Sequence, residues 1–211
     1  MNYGVVYVAY GETAHLEATE SIKTLLEHND YPVVSISQHP IPHAEHIEFQ
    51  NSGWGARRAK LYCDQLVPQR WDRFLYIDAD TRVRQSLHAG FEILEDGWDV
   101  AVTPSSMQGD DVLWHVSEEE RKKTFDVVGV ECVQIQGGLF FVNKNEATQA
   151  FFETWRREWE FYQGPDQAAL LRALYQSPVR MWMLGRPWNG GVIVDHRYGT
   201  CRTESPGVYA D

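Results

Sequence analysis

Short apolar runs alternate with segments of helical period along this chain, and that alternation restricts it to one class of fold. Residues 2–10 (NYGVVYVAY) are apolar, rich in Val and Tyr, and closed by Gly11, which is the pattern of a buried strand. From Thr13 to His28 the apolar residues Ala18, Ile22, Leu25 and Leu26 recur at helical spacing, with Thr13 placed to cap the helix. A turn at 29–32 leads into a second strand, VVSIS at 33–37. Strand, helix and strand in that order predict a right-handed parallel crossover.

The pattern continues with a helix over 54–66, the chain's strongest strand at 73–78 (RFLYID), and a helix end, turn and strand over 91–104. A strand opened by two glycines follows at 135–144, then an amphipathic helix at 145–162 carrying Phe151, Phe152, Trp155, Trp159 and Tyr162 on one side. A helix from Asp166 to about 175 and strands near 179–184 and 190–195 complete it. Residues 38–53 read as irregular and 105–135 as mixed and charged, and the loops at 38–53 and 105–130 are candidates to close over a ligand. The sum predicts a three-layer α/β domain spanning 1–211, with a mainly parallel sheet and ligands at the carboxyl ends of its strands.

A formal net charge of −11 disfavours nucleic acid and anionic lipid as partners. It would also repel a diphosphate, so a site for one needs a concentrated local cation. Cys63, Cys132 and Cys201 are odd in number and widely spaced, which fits neither a disulfide framework nor a zinc knuckle. No apolar run approaches the ~18–20 residues of a membrane span, and no basic region precedes the first apolar stretch. A cytoplasmic location is the expectation from these features.

Two motifs carry chemistry. RFLYIDADTRV (73–83) runs an apolar strand into Asp78-Ala79-Asp80, two carboxylates that can turn towards one hard divalent ion such as Mg²⁺ or Mn²⁺. VIVDHRYGTCR (192–202) delivers His196, then Gly199, where backbone N–H groups can approach phosphate, and Arg202, a planar fork for it. A strand ending in Asp-x-Asp also fits a haloacid dehalogenase-like phosphatase with Asp78 as nucleophile. Arg82 stands at that motif's fifth position, and Thr81 falls one place early. A nucleotide-sugar-binding protein without catalysis is a third alternative.

Taken together, the motifs resemble those of the GT-A fold glycosyltransferases, most closely the family-eight type (glycogenin-like and bacterial galactosyltransferase-like). Such enzymes run an apolar strand into Asp-x-Asp, then show an Asn-x-Gly strand, an Asp-Gln pair and a closing His-x-x-Gly-x-x-Lys. Here Asp78-Ala79-Asp80, Gln136-Gly137-Gly138, Asp166-Gln167 and His196-x-x-Gly199-x-x-Arg202 follow in the same order over about residues 1–202, with Gln for Asn and Arg for Lys. Thr203-Glu204 replaces the Pro-Trp that often follows, and the chain is shorter than typical members.

The resemblance implies a GT-A, Rossmann-like three-layer sandwich. It also implies retaining transfer of a sugar from a UDP- or GDP-sugar to an acceptor hydroxyl, with Mn²⁺ or Mg²⁺ held by Asp78, Asp80 and His196. On the donor it places Val8, Ala9, Tyr10 and Gly11 near the base and Arg57 and Lys60 near sugar or phosphate. Ala79, Gln136, Gly137, Gly138, Gly199 and Arg202 complete that side. Beside the transferred sugar, Gln167 would stabilise positive charge and Asp166 would orient a hydroxyl. Asp166 also stands where it would cap its helix. Trp188 and Asn189, with Asp110-Asp111 and Trp114, are the candidates for the acceptor side. His39, His43 and His46 cross two prolines and read as a solvated loop in preference to a metal cluster.

Overall fold

The computed structural model describes residues 2–50 and 55–197. In chain order the elements are β1 (Tyr3–Ala9), α1 (Glu12–His28), β2 (Val33–Ser37), β3 (Glu45–Ile47), α2 (Gly55–Leu61), α3 (Cys63–Leu66), β4 (Arg73–Ile77) and β5 (Thr81–Val83). They continue with α4 (His88–Glu95), β6 (Val100–Pro104), α5 (Glu118–Val128), β7 (Ile135–Asn143), α6 (Glu146–Glu160), α7 (Asp166–Gln176), β8 (Met181–Met183) and β9 (Val194–His196). Among the described residues no helix is long and apolar enough to cross a membrane.

Seven strands form one sheet in the order β3-β2-β1-β4-β7-β6-β8. Every pairing is parallel except those of β7, which runs antiparallel to β4 and β6. Strand alternation divides the core between the two faces of the sheet. Val6, Val8, Phe74, Tyr76, Phe140 and Val142 face the helices α2, α3, α6 and α7, whose Phe152, Trp155 and Leu170 are buried there. Val5, Tyr7, Leu75, Ile77, Leu139 and Phe141 face α1 and α4, which contribute Ile22, Leu25 and Phe91. Both sheet faces are covered, so the central strands are apolar throughout instead of alternating with polar residues.

Several expectations are corrected. Thr13 does not cap α1; the cap position is Gly11 at φ 88, a left-handed conformation that glycine adopts without a Cβ penalty, and Thr13 lies inside the first turn. Leu26 is exposed instead of joining the core face of α1. The helix expected over 54–66 breaks at Tyr62 into α2 and α3. Segment 38–53 contains β3, which extends the sheet edge, and 105–135 contains α5. The last strand does not join the main sheet. β9 pairs antiparallel with β5 in a separate two-stranded ribbon, with Thr81 opposite His196 and Val83 opposite Val194.

Candidate functional site

The site grows from the end of β4. Asp78 leaves the sheet with its N–H donating to Gly138 O at 2.8 Å, and Thr81 Oγ1 donates back to Asp78 O at 2.8 Å. These bonds fix the Asp78-Ala79-Asp80 turn. Thr81 also starts β5, which is tied to α1 through a buried hydroxyl row: Thr81 Oγ1 lies 2.8 Å from Ser21 Oγ, itself 3.0 Å from the Tyr7 hydroxyl. Arg82 serves the same anchor, donating to Glu17 Oε2 at 2.9 Å. The β5–β9 ribbon then lays His196 against the turn, and Arg197 N donates to Asp80 O at 2.9 Å.

The His196 side chain is 3% exposed, with Nε2 3.3 Å from Asp80 Oδ1 and 3.9 Å from Asp78 Oδ2. Its Nδ1 lies 2.9 Å from Asn189 Oδ1, and the amide orientation follows from Asn189 Nδ2 donating to Pro104 O at 3.3 Å. Asn189 thus accepts from Nδ1–H, which leaves the Nε2 lone pair turned towards the carboxylates, as a metal-ligating histidine requires. Asp78, Asp80 and His196 bring ligand atoms within 4.8 Å of one another and are the only such group among the described residues. An octahedral ion with bonds of about 2.1 Å holds ligands about 3.0 Å (cis) to 4.2 Å (trans) apart, and the imidazole-to-carboxylate separations of 3.3 and 3.9 Å lie between those limits. Room is left by Gly138, where a Cβ would fall 2.4 Å from His196 Cε1 and 2.6 Å from Asp78 Oδ2. One imidazole nitrogen and two carboxylates are a donor set for a divalent cation.

Asp78 is shared between two neighbourhoods. Its Oδ2 faces His196, while its Oδ1 accepts from the Tyr76 hydroxyl at 2.6 Å and lies 3.4 Å from Lys60 Nζ. Lys60 is buried, donates to Asp166 Oδ2 at 3.0 Å and sits 5.0 Å above the Tyr76 ring. Burial pushes its pKa down, but Asp166 and then Asp78 outweigh this and hold the ammonium above its ordinary value, so it stays charged. Burial, and after it Asp78, push Tyr76 well above its ordinary value, keeping its hydroxyl a donor.

A cavity of about 340 Å³ opens here, lined by Val8, Arg57, Lys60, Ala79, Asp80 and Asp166 among others. Arg57 and Lys60, three apart on α2, share this face as expected. Lys60 is not the solvated charge that a lone surface lysine would be. Ala9 and Gly11 line a neighbouring cavity of about 540 Å³. Tyr10 turns its hydroxyl to Phe49 O at 2.9 Å. Gln136 bonds the side chain of Gln167, and Gly137 lies against Asp166, Leu170 and Lys60. Gly199 and Arg202 lie outside the described residues.

Asp166 does not cap α7. Pro165 holds the cap position, and the Asp166 carboxylate turns to Lys60. Trp188 and Asn189, expected on the acceptor side, point inward: Trp188 packs edge-on to Phe141 at 5.5 Å, and Asn189 holds His196. Asp110 and Trp114 are exposed and away from the lining of the metal-side cavity. His39 and His43 are exposed, and His46 bonds Ser37 O, so these three form no metal cluster.

Three contributors escaped the reading of the sequence. Tyr76 lies two residues before Asp78, and strand period alone puts both on one face. His115 feels Asp166 and Arg57, and its buried Nε2 has no hydrogen-bond partner among the described residues. Gln134 sits within a row of amides. Neither of the last two carries a local sequence signal.

No family model matches the chain, and no curated protein matches it. Solved structures do. The galactosyltransferase LgtC, solved with donor and acceptor sugar analogues, aligns over 86% of this chain and 73% of its own at 13% identity, TM-score 0.61. Mouse xyloside xylosyltransferase 1 in its apo form aligns over 96% and 99% at 13% identity, TM-score 0.65. The apo-form glycosyltransferase GlyE of Streptococcus pneumoniae TIGR4 aligns over 99% of this chain and 51% of its own at 16% identity, TM-score 0.60. At such identities the likeness is one of fold: the chain has the GT-A fold, with a mostly parallel central sheet. That removes the structural basis for the haloacid dehalogenase alternative.

Proposed function

We propose that this protein is a metal-dependent glycosyltransferase that moves a sugar from a UDP- or GDP-sugar to an acceptor hydroxyl with retention of configuration. The observation that carries the reading is the convergence of His196 on Asp78 and Asp80, two carboxylates that line a cavity together with Lys60 and Arg57. Asp78, Asp80 and His196 would hold Mn²⁺ or Mg²⁺, which when bound neutralises charge on a nucleoside diphosphate.

The remaining roles belong to the chain itself. Arg57 presents a cation to the anionic donor. Lys60 fixes both Asp78 and Asp166, so neither carboxylate swings when the donor enters. Asp166, held in this way, accepts a hydrogen bond from a sugar hydroxyl. Gln167 sets its amide oxygen against the positive charge that develops at the anomeric carbon, as preorganised dipoles do. The acceptor hydroxyl attacks from the face the diphosphate leaves, and its proton passes to the departing phosphate oxygen, so no protein nucleophile is required.

Thermal shift with nucleotide sugars tests the reading. A ligand at about 100 times its Kd adds about 2.7 kcal/mol, which for a chain of this length raises Tm by about 5–10 °C. We expect that rise with a UDP- or GDP-sugar only when Mn²⁺ or Mg²⁺ is present. Asp80→Ala should abolish both the shift and sugar turnover; unchanged turnover overturns the assignment.

A further inference from the structure

We infer that Gln134 is a positioning residue for Gln167, a buried amide that decides which atom of Gln167 meets the sugar. The inference rests on the glycosyltransferase reading above and adds a residue to it.

Side-chain amides can be turned either way, and only their partners fix which end is oxygen. Here the row begins at a group that cannot turn. The backbone N–H of Leu113 can only donate, and it lies 2.8 Å from Gln134 Oε1. That places Gln134 Nε2 at the other end, where it donates to Gln167 Oε1 at 2.9 Å. With its oxygen so engaged, Gln167 turns its Nε2 to Gln136 Oε1. One backbone donor therefore sets three amides in turn.

Gln134 is itself immobilised. It is 0% exposed, its N–H donates to Gln108 Oε1 at 3.2 Å, and its carbonyl accepts from Ser105 N at 2.8 Å and Gln108 Nε2 at 3.0 Å. Burying an amide is costly unless its polar atoms are paired, so these bonds hold Gln134 in one orientation.

The chemical consequence lies on Gln167. An amide oxygen has two lone pairs. Gln134 takes one and leaves the other for positive charge at the anomeric carbon. A reversed Gln167 would present N–H groups to that charge and oppose it. The hydrogen bond from Gln134 also polarises the amide and strengthens its dipole, and it occupies a lone pair that covalent attack by that oxygen could use.

The test is a double-mutant cycle on metal-loaded protein, read as the hydrolysis of a UDP- or GDP-sugar. In Gln134→Glu the carboxylate can accept from Leu113 N but offers no donor, so Gln167 reverses. Removing one preorganised group costs about 10²–10³ in kcat, so we expect kcat to fall by about 100-fold, with donor KM within about threefold. Gln134→Met, which keeps the volume and drops the amide, should lower kcat by a smaller factor and serves if the Glu variant fails to fold. In a Gln167→Ala background neither change should lower kcat further, because Gln134 acts only through Gln167. Additive losses, or a Gln134→Glu enzyme with wild-type kcat, overturn the inference while leaving the glycosyltransferase reading in place. A wild type that turns over no nucleotide sugar with either metal overturns both.

Discussion

Replacing Gly138 by alanine should abolish tight metal binding while the main sheet stays intact. A methyl group added at this position would lie 2.4 Å from His196 Cε1 and 2.6 Å from Asp78 Oδ2, where ordinary contact begins at 3.4 Å, so the shortfalls are 3.4 − 2.4 = 1.0 Å and 3.4 − 2.6 = 0.8 Å. Both atoms belong to proposed ligands, and neither can yield without cost. Moving the ring stretches its 2.9 Å bond to Asn189, and moving the carboxylate strains its 2.6 Å bond from Tyr76. Changes in outer partners alone cost about 10–100-fold in metal affinity. Displacing two ligands should cost at least about 100-fold, or about 2.7 kcal/mol. Gly138 is not among the glycines of positive φ, so the backbone itself tolerates alanine. Its neighbour supplies the control: a Cβ on Gly137 meets Asp166 Oδ2 at 3.1 Å and nothing else closer than 3.7 Å, and touches no proposed ligand. Calorimetric titration of metal-free protein with Mn²⁺ should show Gly138→Ala crippled and Gly137→Ala within about threefold of wild type. Equal affinity in wild type and Gly138→Ala would refute the placement of the ion.

Asn189→Ala frees the His196 tautomer and should weaken Mn²⁺ about 10–100-fold in the same titration, whereas Asn189→Asp, still an acceptor for Nδ1–H, should retain binding. Arg172 is fully buried, bonding Glu158 at 2.9 Å and Thr124 at 2.6 Å with Glu120 3.3 Å away. Arg172→Ala leaves two carboxylates without their cation inside the α5–α6–α7 layer and should cost about 3–5 kcal/mol in urea unfolding; none of its partners is a proposed metal ligand. His115 has its pKa lowered from 6.5 by burial first, with Asp166 opposing and Arg57 reinforcing. Below 6.5 the unfolded chain binds the proton more readily than the folded one, so this contribution is full above that pH and is lost as pH falls towards the folded value. His115→Gln should flatten the decline in metal-free stability between pH 7 and 5, followed by urea titration.

The central layers were legible because each strand is apolar on both faces, and each long helix carries a stripe at its own period. The proposed ligands Asp78, Asp80 and His196 were legible as residue types, since few side chains ligate a divalent cation. What the sequence did not disclose is the device that unites them. β5 and β9 are three residues each, Thr81–Val83 and Val194–His196, too short for any period to register. The contacts of Asn189 with His196 and of Trp188 with Phe141 were not legible for a related reason: whether a side chain next to a glycine turn faces out or back depends on a ring brought from elsewhere. Lys60 was expected with Arg57 near the donor's sugar or phosphate, but no local feature marked it as the cation that clasps two carboxylates. Only tertiary contact with Asp78 and Asp166 distinguishes it.

The charges of the cavity predict an order of binding. Asp78, Asp80 and Asp166 contribute −3 and Lys60 and Arg57 contribute +2, for a sum of −1, with Glu17 offset by Arg82. Lys60 has little field to offer beyond the site, because it is clasped by two of those carboxylates at 3.0 and 3.4 Å. On a chain of net charge −11, a nucleoside diphosphate sugar arriving first would meet repulsion. A divalent ion reverses the local sum to +1, so the metal must bind first or together with the donor. Titrating a UDP- or GDP-sugar into protein with chelator and into protein saturated with Mn²⁺ should give affinities at least about 100-fold apart, a gap of about 2.7 kcal/mol. Raising salt should narrow the gap, since screening weakens both the repulsion and the attraction. Equal donor affinity in the two titrations would mean that Arg57, not an ion at Asp78, Asp80 and His196, supplies the charge that holds the diphosphate.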